Sequence, residues 1–150
     1  VRGPHLFDHY LHNPAATAAV RDADGWFYTG DLATRDAAGS LRIVGRRATD
    51  LIKSGGFKIG AGEIEACLAE HPGVPEAAVL GVPDPDLGER IVAFIVPRDP
   101  ADPPSATTLA DHVARDLAPH KRPRAVHLVE ALPRNAMGKL LKAELRARLD

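Results

Sequence analysis

Several short stretches carry residues whose types and spacing could do chemistry. Near the C-terminus, LPRNAMGKLLKAEL (132–145) sets Lys139 directly after Gly138, ahead of an apolar helical pattern. A lysine on a glycine-flanked loop is a mobile point charge for phosphate or carboxylate oxygens. It is also, more plainly, a first-turn helix lysine. That end of a helix favours anions, however, which weighs toward a ligand-directed role. Ser54-Gly55-Gly56-Phe57-Lys58 reads as a glycine-rich hairpin that lets a ligand or another backbone come close. It is equally a tight turn, and it lacks the Gly-Lys-Ser/Thr of a Walker loop. Asp31, in Tyr28-Thr29-Gly30-Asp31, could accept from two vicinal hydroxyls, as ribose presents, or simply cap a turn. Arg46 and Arg47 after Gly45 offer guanidinium forks for phosphate or ribose oxygens, or belong to a solvated loop. Taken singly, Asp31, the arginines and the hairpin read at least as well as plain structure.

The elements that must position these residues follow from pattern. Asn13-Pro14 is a helix start, with Pro at the first helical position. Residues 25–33 are aromatic and short, more strand than helix, and 41–44 return as a strand after the turn at 36–39, which predicts a hairpin. The charged, aperiodic run 45–50 marks a boundary between 1–46 and 47–150. Beyond it, 51–53 and 57–59 flank the Gly-Gly turn as strands. Ile64, Cys67 and Leu68 repeat at helical spacing until His71-Pro72. Apolar, β-branched 77–82 and 91–96 read as strands, 97–105 as a surface loop, and Leu109, Val113 and Leu117 as a helix ended by Pro119. A strand over 125–129 and a helix over 139–149 complete the expectation. The second part is therefore α+β, with a few strands and three helices.

Composition narrows the function classes. The 150 residues are 45% hydrophobic, enough for a buried core. With 19 basic and 20 acidic residues the net charge is -1, which gives no support to bulk nucleic-acid binding. Cys67 is the sole cysteine, so no internal disulfide forms and a Cys-rich zinc site is excluded. The seven histidines lack HExxH spacing. No apolar run approaches the ~20 residues of a membrane span, and no signal peptide opens the chain. The expectation is a cytoplasmic protein with no membrane or nucleic-acid partner. Because the sequence opens VRGPHLF without Met, it is expected to be a fragment.

Weak alone, these motifs agree in order and spacing: TGD, GRRATDLIKSGGFKI, GEIE, then LPRNAMGK. In that order they resemble the adenylate-forming superfamily of acyl-CoA synthetases, peptide-synthetase adenylation domains and luciferases. Within it, ATDLIKSGGFKIGAGEIE and PDPDLGERIVAFIVP are most similar to actinobacterial malonyl-CoA or methylmalonyl-CoA synthetases. The resemblance implies that 1–46 is the tail of a large N-terminal adenylation domain. It implies that 47–150 is the small mobile C-terminal lid. It also implies an ATP-dependent ligase that joins a carboxylate to AMP and then to CoA, with Mg²⁺ accompanying ATP at a site outside this chain. The fragment alone would then be incomplete, with the missing N-terminal domain, a small carboxylic acid and CoA as its partners.

The resemblance also assigns roles. Lys139 matches the lysine that enters the active site during adenylation, and Asp31 the aspartate that binds the AMP ribose. The nucleotide arginine is Arg46 counting forward from Gly45, or Arg47 counting back from Asp50-Leu51-Ile52-Lys53, because this sequence has an extra residue between the two marks. The hinge falls correspondingly on Ala48 or Thr49, neither of which is the Asp or Lys the family often uses. Gly55, Gly56 and Phe57 match the hairpin that meets the pantetheine arm of CoA, with Lys53 and Lys58 flanking it. Arg122 and Arg124 either meet CoA phosphates or are surface charges. Two other readings remain: a peptide-synthetase-type adenylation domain, and a non-catalytic binding module.

Overall fold

The computed structural model describes residues 1–46 and 50–149. By compactness the chain divides into Val1–Asp31 and Leu32–Asp150. In the first unit, helix α1 (Pro14–Val20) starts where expected: the Asn13 Oδ1 accepts the Ala16 N–H at 3.0 Å, with proline opening the helix. Phe7 packs against Tyr10 and Phe27, and Arg21 bridges Phe27. The strand expected at 25–33 starts only at Asp31. Upstream, the Asp22 carboxylate takes the Trp26 N–H at 2.9 Å and the Tyr28 hydroxyl at 2.8 Å, folding 22–28 into a turn.

Strand β1 (Asp31–Arg35), which starts at the last residue of the first unit, pairs with β2 (Leu41–Arg46) through the turn at Asp36–Ser40. Next come β3 (Leu51–Ser54), β4 (Phe57–Gly60), α2 (Ala61–Ala69), β5 (Glu76–Asp84), β6 (Gly88–Val96), α3 (Ala106–Asp116), β7 (Ala125–Leu128) and α4 (Lys142–Arg146). The main sheet runs β4-β3-β6-β5, with β7 alongside β6. β5 and β6 pair antiparallel over their whole length, from Glu76↔Val96 to Asp84↔Gly88. The other edge of β6 meets β3 at Gly88 and β7, in parallel, from Val92 onward.

Both faces of this sheet are covered. Val79, Ile91, Ala93 and Ile95 lie in one cluster with Ile64 and Leu68 of α2 and Leu109 and Val113 of α3. Ala78, Leu80, Val92 and Phe94 face the other way, against Leu132 and Leu145 of the C-terminal segment. A strand buried on both faces reads as an unbroken apolar run, which is why Ile91–Val96 shows no alternation. The mixed α+β class, with three α-helices after residue 47 among the described residues, is as the sequence predicts. The last helix is shorter than the expected 139–149, starting at Lys142. Among the described residues, no helix is long and apolar enough to cross a membrane.

The β1–β2 hairpin lies against α2 through glycines. A Cβ built on Gly60 would sit 2.5 Å from the Val44 carbonyl oxygen, and one on Gly62 would sit 2.9 Å from it. Backbone on backbone leaves no room to yield. Gly60→Ala is therefore expected to lower stability by about 1–3 kcal/mol, read as a reduced urea midpoint; an unchanged midpoint would contradict the contact.

Candidate functional site

Lys139 lies in a tight loop ahead of α4, not in a helical turn. Arg134 and Leu140 form a bridge, and the chain between them folds back on Asn135. The Asn135 Oδ1 accepts the Met137 N–H at 3.0 Å and the Lys139 N–H at 2.9 Å. The Asn135 N–H in turn donates to the Lys139 carbonyl at 2.9 Å, and Gly138 N–H to the Asn135 carbonyl at 2.9 Å. Gly138 sits at φ +78°, the left-handed region that favours glycine, with open space around it. Arg134 spans the loop: Nη1 donates to the Gly138 carbonyl at 2.9 Å, and Nη2 to Glu76 Oε2 at 2.7 Å. Lys139 is exposed, and its ammonium has no ion-pair partner among the described residues.

The Gly-Gly hairpin lies elsewhere. Gly55 and Gly56 both have positive φ, +56° and +82°, as a two-residue β-turn between twisted strands requires. The Gly55 N–H donates to the Leu87 carbonyl at 2.9 Å, and the Lys53 N–H to Glu89 Oε2 at 2.6 Å, fastening the hairpin to the turn between β5 and β6. Ile52 and Ile59 pair across the strands into the core, which leaves the cross-strand pair Lys53 and Lys58 on the opposite, exposed face. Like charges directly opposite one another cost stability, so an anion there would relieve them. Phe57 keeps half its surface exposed and stacks on His120 at 4.0 Å with planes 10° apart. Lys58 also lines a cavity of about 460 Å³, with Val44, Leu51, Glu63 and Lys121 among others. Lys121 donates to both Glu63 oxygens at 2.7 Å.

The structure therefore brings Lys53, Gly55, Gly56, Phe57 and Lys58 together and sets Lys139 apart. The Lys139 loop is tied to Glu76, where β5 begins, and the hairpin to Leu87 and Glu89, past its end. Nine residues of strand at ~3.3 Å each put these anchors on the order of 25 Å apart. Asp31 closes the first unit, its N–H donating to Thr29 Oγ1 at 3.2 Å. Arg46 is exposed at the end of β2, its N–H donating to Asp50 Oδ2 at 3.1 Å. Arg47 and the hinge candidates Ala48 and Thr49 lie outside the described residues. Arg122 Nε donates to the Pro119 carbonyl at 3.3 Å, and Arg124 is exposed.

Sequence reasoning missed the supports. Lys142 Nζ lies 2.8 Å from Asp50 Oδ1 and 2.9 Å from Glu65 Oε1, while Glu65 accepts the Val79 N–H at 2.8 Å. This half-buried group ties the start of α4 to the residue that follows the hinge candidates. His120, Arg134 and Asn135 were missed too. Only Asn135 left a local signal, as an Asx residue opening a glycine-containing turn.

Residues 63–139 match the AMP-binding enzyme C-terminal domain. A malonate–CoA ligase of Arabidopsis thaliana is 40% identical over 159 aligned positions, covering all of this chain and 26% of that protein. The pyochelin synthase PchD of Pseudomonas aeruginosa is 44% identical, with 99% of this chain and 27% of that protein covered. Among solved structures, a malonyl-CoA ligase with methylmalonyl-CoA and AMP bound is 69% identical, with a TM-score of 0.58 over 89% of this chain and 29% of that one. The chain thus spans about a quarter of the length of the curated relatives it matches.

Among the described residues, no group of donors fits magnesium, the ion that the sequence resemblance implies would accompany ATP. Among the described residues, the group whose donor atoms approach metal-binding distances is Cys67, His112 and Asp116, within 4.8 Å of one another. A thiol and an imidazole do not suit a hard oxygen-seeking ion. Both His112 nitrogens are also engaged, Nε2 with the Cys67 carbonyl at 2.9 Å and Nδ1 with Arg115 at 2.7 Å. Burial raises the Cys67 thiol above its ordinary value, and the nearby carboxylates of Asp116 and Glu70 add to this. Thiolate is the reactive form, so Cys67 is expected to react with a disulfide reagent at pH 8 at least about tenfold more slowly in the folded chain than in urea. Equal rates would contradict its burial.

Proposed function

The chain belongs to the family of AMP-binding enzyme C-terminal domains, and on that premise we propose that it is the C-terminal part of an AMP-forming acyl-CoA ligase acting on malonate or methylmalonate. The observation that carries this reading is the separation of two sites on one rigid sheet. At one end a lysine with no ion-pair partner among the described residues stands on a braced loop. At the other lies a glycine hairpin rimmed by two opposed lysines and an exposed aromatic ring. A two-step reaction in which a carboxylate first displaces pyrophosphate from ATP and CoA then displaces AMP can use each end in turn. The lid would rotate between the steps about the segment holding Ala48 and Thr49, so that 47–150 moves against the part containing 1–46 and the contact of Val44 with Gly60 and Gly62 belongs to one of the two positions.

In the first step, Lys139 contacts the acyl carboxylate and the α-phosphate, where negative charge builds as the new bond forms. Asp31 accepts from the ribose hydroxyls, and Arg46 or Arg47 donates to the nucleotide. In the second step, Gly55 and Gly56 let the pantetheine arm run close to backbone, Phe57 packs along it, and Lys53 and Lys58 hold charge near the CoA phosphates. The choice of malonate or methylmalonate is supported by the malonyl-CoA ligase at 69% identity and the malonate–CoA ligase at 40%. The similarity to a pyochelin synthase favours one other reading, a peptide-synthetase-type enzyme whose acceptor is a carrier-protein thiol. Supplying the complete enzyme with CoA or with a phosphopantetheinylated carrier distinguishes the two acceptors.

Lys139→Ala in the complete enzyme is expected to lower malonate-dependent ATP–pyrophosphate exchange by about 10²–10³-fold, the cost of losing one preorganised charge donor. Exchange at the parent rate would remove Lys139 from the reaction.

A further inference from the structure

We propose that Arg134, anchored by Glu76, is a positioning residue that holds Lys139 for the adenylation step. The inference rests on the role given to Lys139 above and concerns what fixes that side chain in space.

The backbone of Lys139 is bonded on both sides. Its N–H goes to the Asn135 side chain and its carbonyl to the Asn135 N–H. The preceding peptide carbonyl, that of Gly138, takes Arg134 Nη1 at 2.9 Å. Gly138 is the point where this loop would flex, since glycine at positive φ gives little resistance to rotation. Arg134 bonds to the loop at that point. Its other terminal nitrogen bonds Glu76 Oε2 at 2.7 Å, and Glu76 sits in the ladder opposite Val96. The guanidinium thus braces the loop against the paired start of β5. Both of its terminal nitrogens are engaged in this, one with the loop and one with the sheet.

As a surface ion pair, Arg134–Glu76 does little for stability: both side chains are 46% exposed, and such pairs contribute little to folding. The geometry explains it better as a device for placement. A lysine reaching to a reacting phosphate is sensitive to displacements of an ångström, and such errors cost large rate factors.

The test uses the complete enzyme and both half-reactions: malonate-dependent ATP–pyrophosphate exchange, and thioester formation from preformed malonyl-AMP and CoA. Arg134→Ala is expected to lower kcat for exchange by about tenfold, with KM for ATP and thioester formation nearly unchanged. Glu76→Ala follows in the same direction. Glu76→Gln, which can still accept from the guanidinium, retains most of the rate. Arg134→Lys, a single point donor, restores it only in part. If Lys139→Ala abolishes exchange while Arg134→Ala and Glu76→Ala do not lower it, the brace is refuted and the role of Lys139 stands. If both half-reactions fall together in Arg134→Ala and Glu76→Ala, the residues are merely structural and the proposal fails. If Lys139→Ala itself leaves exchange intact, the role of Lys139 falls and the brace falls with it.

Discussion

Strand β6 is the constraint on which the rest depends. It is paired on both edges, by β5 along its whole length and by β3 and β7 in succession on the other side. It is also buried on both faces, with Ile91, Ala93 and Ile95 under α2 and α3, and Val92 and Phe94 under the C-terminal segment. Such a strand cannot shift by one residue without exchanging its two apolar faces and breaking its ladders. The hairpin that carries Gly55, Gly56 and Phe57 and the loop that carries Lys139 are therefore each fixed to a known position along β5–β6.

That rigidity gives the two sites their meaning. The hairpin at Gly55-Gly56 is fastened where β6 begins, and the Lys139 loop where β5 begins, at the far end of the same ladder. Side-chain motion cannot bridge on the order of 25 Å of sheet. If both sites serve one substrate, as proposed, the whole unit must turn between steps. Local flexibility is correspondingly suppressed: Asn135 and Arg134 hold the loop that carries Lys139, and Leu87 and Glu89 hold the hairpin. The Lys142–Asp50–Glu65 group extends this stiffness to the residue just after the segment read as a hinge, so that movement there would carry the α4 end of the unit with it.

Much of this was legible in the sequence. The apolar runs at 77–82 and 91–96, the Gly-Gly turn and the 64, 67, 68 spacing each predict their element, because in each the local pattern and the tertiary environment agree. Two expectations failed where they diverge. The run LLKAEL continues a helical pattern back to Lys139, but Leu140 pairs with Arg134 and the helix waits until Lys142. The aromatic residues 26–28 suggest a strand, but the Asp22 carboxylate collects their polar groups into a turn. What no local pattern reveals is the pairing of distant charges. Lys142 meets Asp50 across 92 positions, and Arg134 meets Glu76 across 58. In sequence each is an ordinary surface residue, and only the folded register makes it a support.

The central claim is that the two ends of this unit serve different half-reactions. The most direct measurement is a crossed comparison in the complete enzyme: Lys139→Ala and Phe57→Ala, each assayed for malonate-dependent ATP–pyrophosphate exchange and for thioester formation from preformed acyl-adenylate. The account predicts opposite losses, exchange in the lysine variant and thioester formation in the phenylalanine variant, each with the other activity kept. Parallel losses in both variants would contradict it.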